Sequence, residues 1–82
     1  MTKDDILEQF PDEEFLTADG FDNAIIGVDE SSMRVIYSVS GCVDILMNQD
    51  GLDYDDAVEY FEFNAVSAYM GEKTPIWCYD NF

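Results

Sequence analysis

Apolar positions along the chain change their period several times, and turn residues close each group. Ile6, Leu7 and Phe10 share one side of a short helix. Thr2 is placed to cap it, with Asp5 three residues on, and Pro11 ends it. Phe15 and Leu16, past the acidic run Asp12-Glu13-Glu14, are expected to pack back on that helix. Ala24-Ile25-Ile26-Gly27-Val28, bounded by Asp22-Asn23 and Asp29-Glu30, is short and β-branched, which predicts a buried strand. Met33-Arg34-Val35-Ile36-Tyr37 is its hairpin partner across Asp29 to Ser32.

Ile36, Val39, Val43 and Leu46 then recur at helical spacing and predict a helix starting near Ser38 or Ser40 and running to Gln49. The change from strand to helix falls somewhere between Met33 and Gly41, and Gly41 stands where a better helix former is expected. Asp50-Gly51 closes this helix. Asp53 caps the next, expected over Tyr54 to Met70, with Asp55 and Asp56 in the first turn where the helix dipole favours anions, and Gly71 after its end. Ala57, Phe61, Ala65 and Ala68 form its inner stripe, joined by Val58 or Tyr54. Ile76-Trp77-Cys78-Tyr79 has the residue types of a last strand. The pattern predicts one α+β domain over residues 1–82: a small antiparallel sheet of two or three strands, packed against two main helices and a short N-terminal helix.

Charge alters this picture more than any other property. Nineteen Asp and Glu stand against three Lys and Arg, with no histidine, for a formal charge of -16. Yet 48% of residues are apolar, far too many for a disordered acidic tail, so the chain folds against its own repulsion. Binding to a phosphate backbone is excluded, because it depends on cations and only Lys3, Arg34 and Lys73 exist. Anionic membranes repel the chain as well. No uncharged stretch reaches the roughly 18 residues of a membrane span, and MTKDDILEQF has no signal-peptide pattern, which implies a cytosolic protein. Cys42 and Cys78 stand alone and are expected to be free thiols.

Candidate chemistry is sparse. Nucleophilic catalysis lacks a histidine base or a GxSxG setting, and Gly27 and Gly41 make no phosphate loop. Paired carboxylates abound by chance, so the chain is read as no enzyme, with no cofactor. Asn48-Gln49-Asp50-Gly51 resembles the middle of a calcium loop. With Gly51 at the sixth position, however, Leu46 and Ala57 fall where oxygen ligands are obligatory, and no metal is expected.

What remains is the anionic surface. Asp55, Glu59 and Glu62 stand at i, i+4 and i+7, a carboxylate row on the solvent side of the last helix with Asp56 beside it. Neighbours in such a row lie about 5–6 Å apart at Cβ, comparable with the phosphate step of nucleic acid. Each like-charge pair costs roughly 0.7 kcal/mol at 6 Å in water, which a solvated face tolerates. So large an excess points further, to a surface that imitates the phosphate path and occupies a basic groove. Tyr60 and Phe63 flank the row as aromatic anchors, and Asp12, Glu13 and Glu14 form a second candidate patch.

The phrases LTADGFDNAIIGVDE, at Leu16 to Glu30, and DGLDYDDAVEYFEFNAVSAYMGEKTPIW, at Asp50 to Trp77, resemble those of small acidic proteins of tailed bacteriophages with no assigned function. The resemblance implies a phage-encoded protein in the cytoplasm of a bacterial host and carries over no site residue. In size and charge the chain also resembles phage inhibitors that mimic DNA, such as anti-CRISPR proteins and uracil-DNA glycosylase inhibitors. The expected function is therefore a non-enzymatic inhibitor whose partner is a host nucleic-acid-binding protein. Two alternatives stand beside it: a phage assembly module, homodimeric or bound to another phage protein through its aromatic surface, and an acidic metal-buffering protein.

Overall fold

The computed structural model describes residues 2–66 and 71–80. Helix α1 spans Lys3–Gln9, and the Thr2 and Asp5 side chains close its first turn reciprocally, each accepting from the other's backbone N–H. After a 3₁₀ turn at Asp22–Ala24, strands β1 (Ile25–Asp29) and β2 (Arg34–Ser38) form the expected antiparallel hairpin. The Asp29 carboxylate folds the connection by accepting from the Ser31 N–H and from the Ser31 and Ser32 hydroxyls at 2.7–3.1 Å. Those bonds, the Ser31 hydroxyl's foremost, hold its carboxyl below the usual Asp range.

The boundary between strand and helix lies at Ser38, which serves both elements. It ends β2, and its hydroxyl caps α2 (Val39–Asp50) by accepting from the Gly41 N–H at 3.0 Å. Gly41 is explained by proximity: a Cβ there would stand 3.2 Å from both the Ala24 Cβ and the Ser38 Oγ. Its missing side chain lets the first turn of α2 lie close on the 3₁₀ turn. Gly51 closes α2 in the left-handed conformation, at φ 69°.

Helix α3 changes geometry inside the predicted span. It runs Tyr54–Phe61 behind the Asp53 cap, and a π turn occupies Glu62–Val66. The Asn64 side chain donates to the Tyr60 carbonyl at 3.0 Å within that turn. Ala68 and the expected end at Met70 lie outside the described residues. Of the predicted inner stripe, Ala57 and Phe61 are buried and Ala65 and Val58 half-buried, whereas Tyr54 is 54% exposed.

Strand β3 (Ile76–Cys78) pairs with β2 in parallel, so the α+β class holds while the sheet is mixed rather than antiparallel. The reason is the connection. Both α2 and α3 lie between β2 and β3, and a crossover of that length returns the chain to the end of the sheet where β2 began. Arg34 fastens this entry, its Nε donating to the Thr74 carbonyl at 2.5 Å.

Val35 and Tyr37 point to the same side of β2, and the buried residues Ile6, Leu46, Ala57 and Phe61 belong to one apolar cluster with them. The four rings of Phe21, Phe61, Trp77 and Tyr37 run through it in successive contact at 5.2–5.9 Å between centroids. Tyr37 is fully buried, and its hydroxyl accepts the Ala18 N–H at 2.7 Å, tying the segment before β1 to the sheet. Tyr37→Phe keeps the ring and orphans that amide. It is expected to cost about 1–2 kcal/mol and to raise hydrogen exchange at Ala18, whereas a melt identical to wild type would refute the tie.

Candidate functional site

The carboxylate row of α3 is laid out as the helical spacing requires. Asp55, Asp56 and Glu59 are exposed on a helix held by Ala57 and Phe61 from its other side, and Glu62 is exposed at the start of the π turn that continues it. Asp55, Glu59 and Glu62 do not stand on an open ridge, however. They rim a groove of about 350 Å³ between α2 and α3. The floor is apolar, made by Val39 and Val43 from α2 and by Val58 and Phe61 from α3. Asp44 completes the acidic rim from the α2 side, and Tyr54 and Tyr79 stand as aromatic walls, 54% and 48% exposed.

Asp56 looks the other way. With Glu59, Tyr60 and Phe63 it borders a shallow depression over Leu52 and Asn64. Phe63 is 78% exposed and Tyr60 50%, so both predicted aromatic anchors lie at the surface beside the acids. Glu59 belongs to both hollows and marks the centre of the face.

The second predicted patch is separate. Asp12, Glu13 and Glu14 are exposed, and Glu13 and Glu14 border another cavity, with Leu7, Phe15, Leu16 and Lys73. Lys73 approaches Glu13 to 3.9 Å, so this patch carries its own cation. Lys3 similarly faces Asp22 at 3.6 Å, and Arg34 is committed to the Thr74 carbonyl. From Val35 to Glu72 the sequence contains no Lys or Arg, so the faces of α2 and α3 are anionic without internal compensation.

One wall of the groove depends on the segment after β3. Asp80, next to Tyr79, accepts from the Ser38 hydroxyl at 2.5 Å, from the Ser40 hydroxyl at 3.0 Å and from the Ser40 N–H at 3.2 Å. It thereby doubles the N-terminal cap of α2, where the helix dipole favours an anion. The Ser38 bond above all holds the Asp80 carboxyl below the usual Asp range. Sequence reasoning missed Asp44, Tyr54 and Tyr79 as parts of this site. Val39, Val43 and Ser40, Asp44 are i, i+4 pairs on α2 and could have signalled a face turned to a neighbour, but nothing local announces Tyr79, which the crossover places.

Among the described residues no three of His, Cys, Asp and Glu gather closely enough to hold a metal ion, and no helix is long and apolar enough to cross a membrane. No family model matches the chain, and no curated protein or solved structure is significantly similar to it.

Proposed function

We propose that the protein is a non-enzymatic, phage-encoded inhibitor acting in the bacterial cytoplasm. It presents the acidic face of α3 to the basic nucleic-acid-binding groove of a host defence or DNA-processing protein. One observation carries this reading: Asp55, Asp56, Glu59 and Glu62 are displayed together at the surface of a stretch with no Lys or Arg from Val35 to Glu72. A solvated face needs no such exclusion of cations. A face meant to meet Lys and Arg does, because each internal ion pair would weaken its field.

The test is capture of the host partner from bacterial lysate, with and without competing DNA, by wild type and by the Glu59→Lys/Glu62→Lys double variant. The DNA should displace the partner, and the double variant should bind about 100-fold more weakly while melting at or above the wild-type temperature, since repulsion falls. Undiminished affinity in the double variant would falsify the assigned face.

The exposure of Phe63 favours a second reading, an assembly module that binds through the aromatic patch of Tyr60 and Phe63. Salt separates the two. Binding by the carboxylates falls steeply with ionic strength, whereas binding by the rings holds or strengthens.

A further inference from the structure

We propose that the groove between α2 and α3 grips a basic segment of the partner protein, taking an arginine together with an adjacent apolar side chain. This rests on the reading of the acidic face as a surface for a cationic protein, and it specifies what that protein must offer.

The argument starts from the mismatch between floor and rim. Carboxylates meant only to be hydrated, or only to imitate phosphates, need no hollow beneath them. Here Asp44, Asp55, Glu59 and Glu62 surround an apolar floor set by Val39, Val43 and Val58. A side chain that fills such a site is apolar along its length and cationic at its tip, the build of arginine and lysine. The walls choose between them. Tyr54 and Tyr79 line the groove, and tyrosine rings favour a guanidinium, which sheds water more readily than an ammonium and pairs with carboxylates through two parallel hydrogen bonds. At about 350 Å³ the groove exceeds what one arginine fills, leaving floor for the apolar neighbour.

Other occupants fail on charge. A second copy of the chain would bring -16 against -16, and nucleic acid or an anionic membrane would bring phosphates to four carboxylates. A partner segment with both arginine and an apolar residue satisfies floor, walls and rim together.

The experiment uses the whole protein and two blocked hexapeptides of equal charge, one alternating arginine with leucine and one alternating arginine with serine. The arginine–leucine peptide should bind about tenfold more tightly and shift the amide resonances of Val39, Val43 and Val58. Tyr54→Ala, at a half-exposed position outside the core, should weaken both arginine peptides and shrink the advantage of the arginine–leucine peptide over a lysine–leucine one. Glu59→Gln should weaken both peptides alike. An alternating lysine–leucine peptide should bind less tightly than the arginine one. Equal affinity of the arginine–leucine and arginine–serine peptides for wild type, or an arginine-over-lysine preference that survives both Tyr54→Ala and Tyr79→Ala, overturns the proposal.

These results are independent of the inhibitor reading. If the peptides are not distinguished yet DNA displaces the captured host protein, the groove falls and the mimicry stands. If the groove discriminates the peptides and DNA displaces nothing, the groove stands and the mimicry falls.

Discussion

Phe61→Ala is expected to remove about 3–5 kcal/mol of stability, the usual cost of emptying a buried phenylalanine site. Phe61 is 1% exposed, lies edge-on to Phe21 at 5.9 Å and to Trp77 at 5.2 Å, and is with Ala57 one of the two buried residues of α3. Its loss therefore takes transfer energy and ring contacts together. Domains hold roughly 0.05–0.15 kcal/mol per residue, and a chain of 82 residues carrying -16 lies toward the low end of that range. The variant should be largely unfolded at 37 °C, or melt more than about 15 °C below wild type. Phe61→Leu, which keeps most of the volume, should recover more than half of the loss. A loss below about 1.5 kcal/mol in Phe61→Ala would mean that α3 is held by something other than this ring. The carboxylate row would go with the helix, so loss of partner binding in this variant speaks only to folding and must be compared with charge variants that remain folded.

The same residue shows which parts of the structure can be read from sequence. Phe61 as an inward residue, Asp53 and Thr2 as caps, and Gly51 as a left-handed stop are decided within a turn or two of chain, where spacing and side-chain chemistry suffice. The hairpin of β1 and β2 was legible for the same reason. The direction of β3 was not, because it is settled by how two helices return the chain over the sheet and by the Arg34 bond to Thr74, forty residues away. The change from α to π geometry was also hidden: the π turn at Glu62–Val66 continues an apolar pattern that reads as uninterrupted helix.

For the site, the acids and the aromatic pair Tyr60 and Phe63 were visible as a helical face. The hollow beneath Asp55, Glu59 and Glu62 was not, since a groove belongs to two elements and periodicity describes one. Gly41 is the instructive case between these extremes. A residue that looks wrong for its helix marks the point where that helix touches another part of the chain.

Stability should fall steeply as pH rises above about 9, through a buried residue of the first turn of α2. Cys42 is fully buried, and its burial, reinforced by the nearby Asp80 carboxylate, pushes the thiol up from 9.0 to about 12. The unfolded chain releases this proton near pH 9 while the folded chain keeps it, so between those values the native state binds more protons and stability declines with pH. The contribution is fully present below pH 9 and lost as pH rises toward about 12. One such proton sets a limiting slope of about 1.4 kcal/mol per pH unit. The Tyr37 phenol is also raised, chiefly by burial, and adds a loss of the same sign beginning near pH 10. Urea titrations from pH 8 to 11 should show wild type weakening from about pH 9, and Cys42→Ala, less stable at neutral pH, should weaken only from about pH 10. Parallel curves for the two proteins would show that the thiol ionises without resisting, and hence that the packing around it is looser than described. A thiol reagent gives the same answer at pH 8: Cys78, which is partly exposed, should react in the folded protein, and Cys42 only as fast as the protein opens. Because Asp80 touches both this thiol's surroundings and the cap at Ser38 and Ser40, opening at alkaline pH should release Tyr79 from the groove as the core yields, so the preference for the arginine–leucine peptide should fade over the same pH interval as stability.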